Sequence, residues 1–110
     1  MSNQSITLSP PKSTSDWRVI ASFDDKNRLV INEGNLDDDF YIQVTAGEIA
    51  ALTRVLNRVS KPRANSGNVQ SDILVMLNTL FGGEANAFSK IEAFFKETGI
   101  RFSNSHWIGT

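Results

Sequence analysis

WRVIASFDDKNRLVINEGNLDDDFYIQV, residues 17–44, is the stretch on which the fold turns. Trp17, Val19, Ala21 and Phe23 alternate with Arg18, Ile20, Ser22 and Asp24, the two-residue period of a strand with one buried face. Asp24-Asp25-Lys26-Asn27 is turn chemistry, because Asp and Asn side chains bond their own backbone. Arg28 to Asn32 reads as the returning strand, and EGNLDD as a second turn before DFYIQV, where Phe40, Ile42 and Val44 share a face. Short polar connections between such strands predict a three-stranded antiparallel meander over residues 17–44.

Beyond this stretch the period changes to that of helices. Thr45-Ala46-Gly47-Glu48 has the spacing of a capping box, in which the Thr hydroxyl and Glu carboxylate satisfy first-turn amides. Ile49, Leu52, Leu56 and Val59 then recur at spacings of three and four. Three helices are expected, over 46–60, 70–81 and 84–98. Pro62 bounds the first, Gly82-Gly83 stop the second, and Gly99 offers a left-handed cap for the third. Arg101 to Ile108 is read either as a strand returning to the sheet or as irregular chain over the core. The fold class is therefore α+β, with the helices packed on one face of a small sheet.

Upstream, residues 1–15 are rich in Ser, Thr and Pro and read as a flexible arm, with Ile6 to Leu8 open to forming a short strand. Residues 16–110 form one domain, a size that supports a single modest core. The segment MSNQSITLSPPKSTS has neither the basic run nor the apolar stretch of a signal peptide. No apolar run exceeds Ile73–Leu77, so no membrane span is expected. With zero Cys there is no disulfide framework, thiol nucleophile or cysteine metal site. These features fit a cytoplasmic protein.

A net charge of −1 conceals a segregation. Residues 16–48 carry eight acids and three bases, whereas residues 49–71 carry four bases and no acid. Those bases are Arg54, Arg58, Lys61 and Arg63, in the run RVLNRVSKPR. On a helical wheel the apolar Leu52, Val55, Leu56 and Val59 fall between about 240° and 360°, and Arg54, Arg58 and Lys61 between about 120° and 180°. The cations form a ridge facing away from the core. Such a ridge suits a partner's acidic surface or a phosphate backbone, and suits equally a solvated helix face.

Other clusters carry less. Asp37, Asp38 and Asp39 lack the alternating donors and central Gly of a calcium loop, and read as an acidic turn that could dock a basic partner. His106 is the only His, too few for zinc, and no G-x-S-x-G elbow accompanies it. Gly82-Gly83-Glu84 is not a nucleotide loop. Trp17, Phe40, Tyr41, Phe102 and Trp107 could stack single-stranded bases, but only Arg18 and Arg28 lie near them, so most are expected in the core. No catalytic, cofactor or metal residue stands out. The expectation is a small non-enzymatic interaction or regulatory domain acting through charge-segregated surfaces, with a protein partner or a second copy of itself. A nucleic-acid-binding domain using the ridge and the sheet aromatics ranks second.

Overall fold

The alternation along residues 18–34 places Val19, Ala21, Phe23, Leu29 and Ile31 on one side of a sheet, each at most 1% exposed. In a computed structural model, which describes residues 5–9, 18–34, 38–59, 67–83 and 86–108, this side becomes the floor of the core. The strands are β1 (Ser5–Ser9), β2 (Arg18–Phe23), β3 (Leu29–Gly34), β4 (Asp38–Val44) and β5 (Ser103–Ile108). They pair antiparallel in chain order, β1-β2-β3-β4-β5. Between β4 and β5 the chain forms α1 (Ile49–Val59), α2 (Val69–Phe81) and α3 (Ala87–Thr98).

Register explains the burial. Ile6, Ala21, Ile31, Ile42 and Asn104 stand side by side across the five strands, and Phe23, Leu29 and Val44 form the next row. Leu52 and Leu56 of α1, Ile73, Met76 and Leu77 of α2, and Ile91 and Phe95 of α3 close over these rows. Each Leu, Ile or Phe so enclosed contributes about 1.5–3 kcal/mol relative to exposure. The opposite face, with Ile20, Val30, Asn32 and Tyr41 half-buried by their own neighbours, carries no helix among the described residues. No helix among these residues is long and apolar enough to cross a membrane.

The α+β class and the one-sided helices are as the sequence implies, but the sheet has five strands, not three. Ser5–Ser9, within the stretch read as a flexible arm, is an edge strand held by Ile6 and Leu8 in the core. The rest of that arm, and Trp17, lie outside the described residues. The returning strand at the C-terminal end also forms, paired to β4 from Asp38↔Ile108 through Gln43↔Ser103. Both additions are edge strands, and their partners lie across residues 10–17 or the whole helical half, where local periodicity carries no signal.

The helix bounds shift slightly. α1 is preceded by a 3-10 turn at Ala46–Glu48, and Glu84 and Ala85, expected at the start of α3, lie outside the described residues. The capping box does not form: the Thr45 side chain makes no cap hydrogen bond. Glu48 turns instead to accept the Arg101 backbone N–H at 3.1 Å, tying the start of α1 to the approach to β5. Val59 is 43% exposed rather than inward, at the end of the helix where no other described residue covers it. Gly99 does supply the left-handed cap, at φ 76°, with the Ile100 N–H donating to the Phe95 carbonyl.

Candidate functional site: the basic face of α1

α1 has the sequence IAALTRVLNRV, with Ile49, Leu52 and Leu56 buried and Arg54 and Arg58 exposed. The two arginines are four residues apart, hence neighbours on one helical face. Like charges so placed cost a helix about 0.2–0.5 kcal/mol. Nothing on α1 offsets that, because the helix contains no acid. No hydrogen bond or ion pair joins either guanidinium to another described residue. Only Arg58, in the last turn, gains from the helix dipole. Lys61 and Arg63, the other half of the expected ridge, lie outside the described residues.

The acidic cluster is divided by the sheet. Asp37 is outside the described residues, and Asp38 and Asp39 belong to β4 rather than to a loop. Asp39 accepts from Asn32 Nδ2 at 3.4 Å, and the same amide group donates to the Phe40 carbonyl at 3.2 Å. The acidic turn expected before this strand therefore ends at least one residue earlier than the sequence implies, with Asp38 already in β4.

Asp24 performs the expected turn chemistry. One carboxylate oxygen accepts the N–H groups of Lys26 and Arg28, both at 2.9 Å. The other accepts from Arg28 Nε at 2.7 Å. Burial works against ionisation here, but these backbone and guanidinium donors outweigh it and hold the carboxyl below its usual value of 3.8. Glu33 behaves oppositely, since burial between Val19 and Phe40 pushes it above its usual 4.5. Carboxylates with opposed shifts can mark an acid–base pair. These two do not meet: Arg28, which holds Asp24, is five positions from Glu33 along the β3 hairpin, roughly 16 Å of extended chain.

The aromatics divide between the two faces. Phe40 lies against Phe88 at 6.5 Å, and Phe102 against Phe95 at 5.7 Å, so both serve the core. Tyr41 faces the helix-free side. His106 and Trp107 occupy β5 opposite Phe40 and Asp39. Among the described residues no group of three or more His, Cys, Asp or Glu is placed to hold a metal ion. Two open clefts flank β5: one of about 450 Å³ lined by Gln43, Thr45, Glu48, Arg101 and Ser103, and one of about 390 Å³ lined by Phe40, Phe88, Glu92 and Asn104. Sequence reasoning found the arginine ridge from charge and period, but not the clefts, which depend on where β5 returns. Comparison of the chain with family models, curated proteins and solved structures finds no match.

Proposed function

We propose that this chain is a small interaction or regulatory domain, without catalysis of its own, that engages a protein partner's acidic surface through the basic face of α1. The observation that carries the reading is Arg54 beside Arg58, exposed, mutually repulsive and unpaired among the described residues. An acidic partner relieves that repulsion and speeds association more than it deepens affinity. Nucleic acid ranks below it, because base stacking would need the sheet aromatics, and Phe40 and Phe102 are already engaged with Phe88 and Phe95.

The test is fluorescence anisotropy with labelled Asp/Glu-rich peptide, single-stranded DNA, duplex DNA and RNA, at low and moderate salt. An Arg54→Ala/Arg58→Ala variant is measured alongside. The expected result is peptide binding that weakens several-fold in the variant, with flat nucleic-acid traces. Nucleic-acid binding that falls steeply with salt and with the variant would assign the ridge to phosphate. Flat traces throughout would make it a solvated helix face and end the proposal.

A further inference from the structure

The two edges of the sheet are finished differently. On β1 the register breaks between Thr7 and Ser9, which leaves Leu8 as a bulge. The Leu8 carbonyl accepts the N–H of Gly83 at 2.6 Å, and α2 packs along the strand. A bulge and a covering helix are standard means of blunting an edge against further pairing. β5 has neither. Its six residues, SNSHWI, run in unbroken register against β4 and contain no Lys, Arg, Asp, Glu or Pro. Ser103, Asn104 and Ser105 are exposed, and among the described residues no strand pairs with the outer edge.

We propose that this edge pairs antiparallel with β5 of a second copy about a twofold axis, joining the two sheets into one with all helices on the same side. Keeping the helices together requires paired positions of the same alternation, as in a register setting Ser103 of one copy opposite Ser105 of the other. The twofold then brings the start of each β5 beside the end of its mate. Arg101, exposed and two positions before Ser103, enters the row of Trp107 and Asp39 of the second copy. The Arg101 and Asp39 backbones stand two strand spacings apart, about 10 Å, across the Trp107 position, a span the long Arg101 side chain can cover to reach the Asp39 oxygen that Asn32 does not use. Symmetry forms the pair twice. This charge complementarity selects a second copy over an unrelated strand. The surface is separate from the α1 arginines and does not rest on their role.

Light scattering on gel-filtered protein, from low to high micromolar concentration, tests this. The expected mass rises from 12.2 kDa toward twice that value. Ser105→Lys sets like charges close together across the axis, and the variant should stay at 12.2 kDa. Arg101→Glu should weaken the dimer several-fold, and Arg101→Glu/Asp39→Arg should recover it. Arg54→Ala/Arg58→Ala should leave it unchanged, which separates this outcome from that for the basic face. Hydrogen exchange on the unaltered chain needs no variant to fold: amides of Ser103–Ile108 should slow with concentration while those of Ser5–Ser9 do not. A mass fixed at 12.2 kDa, a dimer indifferent to Ser105→Lys, or protection elsewhere than β5 would overturn the proposal.

Discussion

At Asp24 both carboxylate oxygens are occupied, by two backbone N–H groups and the Arg28 guanidinium. Its lowered pKa means that the ionised form is favoured by folding, so its contribution is present above pH 3.8 and is lost as pH falls through the folded value. Asp24→Asn should therefore lower stability at pH 7, by about 1 kcal/mol given solvent screening at this partly exposed turn. Urea unfolding at pH 7 and pH 3 checks this, and the difference between wild type and variant should shrink at the lower pH. Glu33 has the opposite sign. Its pKa is raised by burial, so the ionised form is disfavoured by folding and the cost grows as pH rises past 4.5. Glu33→Gln should raise the melting temperature at pH 7 and leave it nearly unchanged at pH 4. A loss at both pH values would show that the carboxylate is needed where it stands. The turn role of Asp24 was legible from residue type alone. The burial of Glu33 was not, because it depends on the neighbouring strand placing Phe40 beside it.

Among the elements, the end of α2 fixes more than its own length. Gly82 caps the helix by donating to the Asn78 carbonyl, and Gly83, at φ 80°, sends its N–H to the Leu8 bulge. A left-handed residue with a Cβ costs about 1–2 kcal/mol, and since nothing lies within 4 Å of a Cβ at Gly83, Gly83→Ala should cost that strain alone. Gly82→Ala should cost more, because its Cβ would overlap the Asn78 carbonyl and side chain. Urea midpoints of the two variants rank them. The sequence showed Gly82-Gly83 as a stop, but their hold on β1 involves a residue some seventy-five positions upstream, beyond any local pattern. The same holds for β5. Its polar SNSH start lacks a buried face of its own, and it becomes a strand because β4 offers a free edge there.

Across the whole molecule, charge and hydrophobic period were the legible quantities. The hydrophobic rows predicted which face of β2 and β4 meets the helices, and the buried residues follow them. The charge segregation located Arg54 and Arg58 on the side of α1 away from those rows. Long-range closure was left open: the sheet's width and its two unlike edges follow from where Ser5–Ser9 and Ser103–Ile108 pair. The unlike edges also decide what form assembly can take. A sheet open on both sides accepts a copy on each, and every addition exposes a fresh site for the next, which is the route to fibres. Here the bulge at Leu8 and its tie to Gly83 leave only Ser5–Thr7 regular on the far side. The proposed addition at β5 about a twofold would consume both growing ends at once, and polymerisation would stop at its first step.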